Sequence, residues 1–221
     1  MYNEENIRNL TWYITAGNHD HGQTKDWREK NEIGIYPGHP TWFYPRIAYT
    51  FTAKAKNVVA RFTTIDTEIN ERRKYGQTAQ KNILLKALYQ TYKKSKRDWK
   101  IAWTHVPPFS SSDMYNVDDL LYKFLVWHFN QVGLDLHFAG HDHTLQHLTH
   151  NNVNYFISGA GAKKTNKYSK KSEQTLKSYG VNLQSFFSKP GFIHVILSEK
   201  LANVSFIGRK GKLLYNTLIE K

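Results

Sequence analysis

With 221 residues, the chain is long enough for one domain with a substantial core. It contains no cysteine, which excludes a disulfide framework and thiolate metal ligands. Its formal charge of +13 suits anionic partners such as phosphate esters, nucleic acid or anionic lipid. The lysines are scattered, however. Their densest cluster, Lys163-Lys164 through Lys170-Lys171, lies in a Ser/Asn/Gln-rich stretch, and no common nucleic-acid motif accompanies it. No segment is long and apolar enough for a membrane helix. Met1 to Asn6 is polar and acidic, unlike a signal peptide.

Residues 1–10 form a polar lead-in. Trp12 to Ala16 is apolar and short, a buried strand ending at Gly17-Asn18. Residues 22–46 carry Gly, Pro and aromatics and predict a long ordered loop. Two strands follow over 47–53 and 57–66, with Asp66 and Thr67 closing the second. Between Thr78 and Ser95 the period becomes helical, with Ile83, Leu84, Ala87, Leu88 and Tyr92 on one face. A strand is predicted at 100–104 and a second amphipathic helix from Val117 to Val132, ended by Gly133. Strands at 134–139 and 153–158, a loop over 160–190, and strands near 191–197, 202–207 and 212–219 complete the pattern. This is a mixed α/β domain with a β-rich C-terminal half.

Three segments stand at predicted strand ends: Gly17-Asn18-His19-Asp20-His21, Trp103-Thr104-His105-Val106-Pro107 and Gly140-His141-Asp142-His143. Strand-end loops are where open α/β folds build ligand sites. Imidazole nitrogen and amide oxygen suit transition metals of intermediate softness. His141 and His143 are two apart, so in an extended segment both rings would face one site, and Asp142 would point away or else support a ligand from behind. His39, His128, His137, His147, His150 and His194 are unpaired and read as structural. His21 follows the site loop and is a candidate substrate contact.

Together and in this order, the three segments resemble those of the calcineurin-like metallophosphoesterases, and within them the purple or tartrate-resistant acid phosphatase branch. Ile157-Ser158-Gly159-Ala160-Gly161, the Gly191-Phe192 strand and the hairpin from Gly208 to Leu214 fit the same pattern. The resemblance implies an α/β/β/α four-layer sandwich with a dinuclear centre of Fe with Fe, Zn or Mn. It implies hydrolysis of a phosphomonoester by a metal-bound hydroxide, in a secretory or vacuolar setting. Carried over by motif, Asn18, His105 and His141 hold the divalent metal and His143 the ferric iron. His19 holds phosphate or protonates the leaving alcohol.

Two departures accompany the likeness. The family's Asp-x-Gly and Gly-Asp-x-x-Tyr motifs have no counterpart: no Gly-Asp dipeptide occurs, and the one Asp-x-Gly, Asp20-His21-Gly22, lies inside the third motif. The chain thus resembles one metallophosphoesterase domain over 1–221 without its N-terminal strand-helix-strand portion, with open sheet edges and weak metal binding expected. After His105, Pro108-Phe109-Ser110-Ser111-Ser112-Asp113 lacks the extra histidine of the mammalian-type branch, leaving Ser110 to Ser112 as candidate phosphate donors, Ser110 first. Two other readings use the same residues: a scaffold on the phosphatase fold without turnover, and a basic nucleic-acid or anionic-lipid binder resting on charge alone.

Overall fold

The computed structural model describes residues 9–20, 41–45, 48–67, 85–86, 88–89, 92, 97–114, 122–161 and 164–221. Its centre is a seven-stranded sheet in the order β3-β4-β5-β6-β8-β7-β9. These strands are β3 (Ala48–Ala55), β4 (Val58–Ile65), β5 (Trp99–Thr104), β6 (Leu136–Ala139), β7 (Leu145–His150), β8 (Val153–Ser158) and β9 (Asn182–Phe187). β4, β5, β6 and β8 run parallel, so their carboxyl ends lie together at one edge. β3, β7 and β9 are antiparallel to their neighbours. β5 (Trp-Lys-Ile-Ala-Trp-Thr) is the near-continuous apolar run that a strand covered on both faces requires.

The two faces bury different sets. One set gathers Ile65, Ala102, Leu148, Val153, Tyr155 and Ile157 against Phe129 and Val132 of helix α1 (Trp127–Val132) and against Leu88 and Tyr92. A π-helical turn, Tyr122–Val126, leads into α1, which stops at Gly133 as the sequence predicts. Of the helix predicted over 78–95, Leu85, Lys86, Leu88, Tyr89 and Tyr92 are helical, and the remainder lies outside the described residues.

The opposite face carries a second layer in two pieces. Antiparallel β10 (Gly191–Leu197), β11 (Leu201–Gly208) and β12 (Leu213–Glu220) bury Ala202, Val204 and Phe206 against Trp99, Ile101, Leu136 and Phe156. Beside them a two-stranded parallel ribbon, β1 (Trp12–Tyr13) with β2 (Trp42–Phe43), is fixed by aromatic contact. Tyr13 stacks on Phe51 at 3.8 Å between centroids, and Phe51 on Phe62 at 4.6 Å. Helix, sheet and sheet agree with three of the four expected layers. Among the described residues no helix covers the outer face of β10–β12, where Phe192, Ile196, Leu213 and Leu218 are exposed. No described helix is long and apolar enough to cross a membrane.

Four elements differ from expectation. The loop predicted over 160–190 contains α2 (Lys170–Ser178) and strand β9. α2 starts at Ser169, whose hydroxyl accepts from the Ser172 N–H, and it buries only Leu176, too little apolar surface to give a period. β7 was hidden because its buried side chains include Gln146, His147 and His150. β2 sits within the segment expected to be all loop.

Two buried histidines have defined polar partners. Thr104 Oγ1 donates to the Val106 carbonyl, so it accepts from His137 Nε2 at 3.1 Å. His147 lies between Asn154 Oδ1 at 2.9 Å and the Tyr215 hydroxyl at 3.0 Å. Burial holds His137 neutral, its pKa down to about 3, and pushes His147 below its ordinary value as well. Both histidines regain their ordinary affinity for protons on unfolding. Stability is therefore complete above about pH 6.5 and falls as pH drops from there toward 3. Urea midpoints measured across that range should decline, and His137→Gln should flatten the decline by about one proton.

Candidate metal centre

The three strand-end segments converge at the carboxyl edge of the large sheet. Asn18 leaves β1 in a turn clamped by Asp20: the Gly17 N–H donates to Asp20 Oδ2 at 2.7 Å, and the Asp20 N–H donates to the Gly17 carbonyl. His105 follows β5, and its carbonyl accepts the Gly140 N–H at the end of β6, tying the second and third segments together. His105 Nε2 lies 2.9 Å from Asn18 Oδ1 and 3.2 Å from His141 Nδ1. Donor atoms about 3 Å apart are the edge lengths of a coordination polyhedron with bonds of about 2.1 Å.

Glycine makes the convergence possible. A Cβ on Gly17 would sit 2.6 Å from His105 Cε1 and Nδ1, so the imidazole occupies space that only a hydrogen leaves open. A Cβ on Gly159 would fall 1.9 Å from the Asp142 carbonyl oxygen, which is backbone and cannot yield easily. Gly159 thus lets the loop from Gly140 to Thr144 lie directly on the end of β8.

That loop is not extended, which corrects the expectation that His141 and His143 face the same way. His141 has φ 57°, in the left-handed region. The Asp142 N–H bonds back to the Gly140 carbonyl, and the Thr144 N–H to the Asp142 carbonyl. The rings therefore diverge. His141 meets His105, whereas His143 donates from Nδ1 to the Lys164 carbonyl at 2.9 Å. That bond fixes the His143 tautomer and leaves Nε2 as a lone-pair donor, the usual state of a ligating histidine.

Asp142 does turn away from the cluster, into a polar cage that the sequence did not disclose. It is 3% exposed and accepts from Ser110 Oγ, from Ser112 Oγ at 2.7 and 2.8 Å, and from Asn166 Nδ2. Gln146 extends the cage, donating to Ser110 Oγ at 2.7 Å while its Oε1 accepts the Ser111 N–H. This corrects Ser110 as a substrate contact. Ser110, Ser111 and Ser112 are fully buried, and the hydroxyls of Ser110 and Ser112 serve Asp142, so this run presents none of them to a phosphate. His19 is exposed on the Asn18 turn, and His21 lies outside the described residues.

Asn18, His105 and His141 fit one divalent cation by donor type and spacing. They do not by themselves make a dinuclear centre. Among the described residues no group of three His, Cys, Asp or Glu side chains is arranged to hold a metal, and no carboxylate joins the cluster. Asp20 is bound to Gly17 N–H, and Asp66 is buried with the Tyr44 hydroxyl 3.3 Å away.

The calcineurin-like phosphoesterase family model matches residues 2–145, and the chain belongs to that family, whose members are hydrolases. It is 25% identical over 238 residues to tartrate-resistant acid phosphatase type 5 of Oryctolagus cuniculus, covering 100% of this chain and 70% of that protein. A purple acid phosphatase from yellow lupin (Lupinus luteus) seeds has a similar fold, with TM-score 0.59 at 14% identity over 96% of this chain and 39% of its own. GAP50, described as the anchor in the inner membrane complex of Plasmodium, gives TM-score 0.65 at 19% identity, covering 82% of this chain and 57% of its own. The chain thus spans little more than half of one of these structures and well under half of the other.

Two substitutions test the local account. Gly159→Ala should cost about 1–3 kcal/mol or more, seen as a lower urea midpoint, because backbone meets backbone. Asp142→Ala should cost about 3 kcal/mol or more, since it strands the buried donors of Ser110, Ser112 and Asn166.

Proposed function

We propose that this chain is a metal-dependent phosphatase acting on phosphomonoesters, with its cation held by Asn18, His105 and His141. The observation that carries this reading is the meeting of an amide oxygen and two imidazole nitrogens, from three separate strand ends, within 2.9 and 3.2 Å. A divalent cation bound there would neutralise phosphate charge and lower the pKa of a water. Asp142 holds the His141 loop in place. His143, anchored on the Lys164 carbonyl, offers Nε2 toward a second cation of the iron, zinc or manganese kind. His19, exposed on the same turn as Asn18, binds the phosphate or supplies a proton to the departing alcohol. His21 remains the candidate substrate contact beside it. A secretory or vacuolar setting accords with acid phosphatase relatives, and the surplus of basic residues favours anionic esters.

The second reading is an inactive scaffold on the same fold. It is favoured by the absence of a carboxylate from the cluster among the described residues, and by the structural likeness to GAP50. Two measurements separate the readings. With Mn²⁺, Zn²⁺ or Fe²⁺ added, p-nitrophenyl phosphate should be hydrolysed at acid pH, and His141→Ala or a chelator should remove about 100-fold or more of the rate. Cation binding by calorimetry without any hydrolysis would favour the scaffold.

A further inference from the structure

The densest lysine cluster of the sequence borders the candidate centre. On one side, segment 164–169 is strapped to the 111–113 run. The Asp113 N–H donates to the Lys167 carbonyl, the Lys167 N–H to Asp113 Oδ1, and the Ser169 N–H to the Ser111 carbonyl. On the other side Ser188 Oγ donates to the Asn166 carbonyl, and Thr165 Oγ1 to the Ser188 carbonyl. Toward the interior, Asn166 Nδ2 reaches Asp142, and the Lys164 carbonyl holds His143. Ser172 of α2 adds a bond from its hydroxyl to the Ser112 carbonyl.

These bonds use main-chain groups and short polar side chains. The lysines of the same stretch, Lys164, Lys167, Lys170 and Lys171, remain exposed. The stretch 164–171 contains no Asp or Glu. The acids beside it are engaged: Glu173 with Lys177 Nζ at 2.8 Å and with the Tyr168 hydroxyl, Asp113 with the Lys167 N–H. Like charges held this close repel one another, and a partner of opposite sign relieves that repulsion. An exposed ion pair contributes little alone, so recognition here needs several carboxylates at once.

We infer that the surface formed by Lys164, Lys167, Lys170 and Lys171 docks an acidic polypeptide segment, a run of aspartates or glutamates, beside the candidate centre. The surface is independent of turnover and serves an enzyme or a scaffold alike. A polypeptide suits it better than a lipid surface or a nucleic acid. Membrane attachment adds apolar or aromatic side chains that enter the lipid, and single-stranded nucleic acid needs aromatic platforms for its bases. Tyr168 is the aromatic residue of this stretch. It is held by its bond to Glu173 and packs edge-on against Phe186, 5.6 Å between centroids. Charge without a free aromatic matches a partner that brings carboxylates on an adaptable backbone.

The test uses the full chain with EDTA present, so that binding is read without turnover. The probes are a fluorescein-labelled peptide of eight glutamates and the same peptide with glutamines. Anisotropy at low salt should show the glutamate peptide bound about tenfold or more tightly, with the gap closing at about 0.5 M salt. Lys167→Gln, Lys170→Gln and Lys171→Gln together should remove the preference, because the main-chain bonds of the stretch survive them. Lys54→Gln, Lys56→Gln and Lys200→Gln together, exposed at the opposite edge of the large sheet, should leave it in place. Equal affinity for the two peptides would overturn the inference. Equal losses in the two triple variants would do so too, since net charge alone would then be the attraction. Tighter binding of phosphatidylserine vesicles or of oligothymidylate through the same three lysines would assign the surface to lipid or nucleic acid and overturn it as well. Should the first triple variant fail to fold, Lys171→Glu alone should cut the preference about threefold, and an unchanged preference would count against the surface.

Discussion

A buried carboxylate organises the candidate centre. Asp142 sits between the two histidines of its motif, yet it faces the interior, where two serine hydroxyls and an asparagine amide donate to it. A carboxyl group so deeply buried is tolerable only with such partners in place. Meeting that requirement draws in the 110–112 run, Gln146 and Asn166, and it pins the loop against Gly159. The left-handed backbone at His141 follows, because Gly140 and Thr144 are both bound to the turn that buries Asp142. Strain of this kind costs about 1–3 kcal/mol and persists where the surroundings over-determine it.

The centre also depends on the large sheet. Parallel β5 and β6 end side by side, so His105 and Gly140 are joined by a main-chain hydrogen bond before any side chain is considered. β1 belongs to a separate ribbon, held to the sheet through the Tyr13–Phe51–Phe62 stack and by the Tyr49 hydroxyl, which donates to the Ile14 and Phe43 carbonyls. Asn18 therefore reaches the histidines through aromatic packing, whereas they reach each other through the ladder. The two routes meet where Gly17 makes room for the His105 ring.

Much of this was legible in the sequence because the relevant signals are local. Apolar runs ending in Asn or His marked the strand ends, and β10 to β12 alternate clearly enough to be read singly. What escaped depended on partners distant in the chain. Gln146 and His147 gave no strand signal, yet β7 buries both because the 110–112 run and Tyr215 complete their bonds. α2 was missed because one buried leucine carries no period. Ser110 was assigned to substrate since nothing in a linear run of serines reveals that Asp142, 32 positions later, claims its hydroxyl. The direction of His143 depended likewise on the Lys164 carbonyl.

The uncharged donor set has an electrical consequence. Asn18, His105 and His141 offer lone pairs but no negative charge, so, on the proposed reading, a cation held by them would keep its full charge toward the open side. An oxyanion arriving next meets an attraction that a carboxylate-rich pocket would already have neutralised. By thermodynamic reciprocity each guest strengthens the hold on the other by the same factor. On the proposed reading, a cation held by uncharged donors would bind more tightly as phosphate rises.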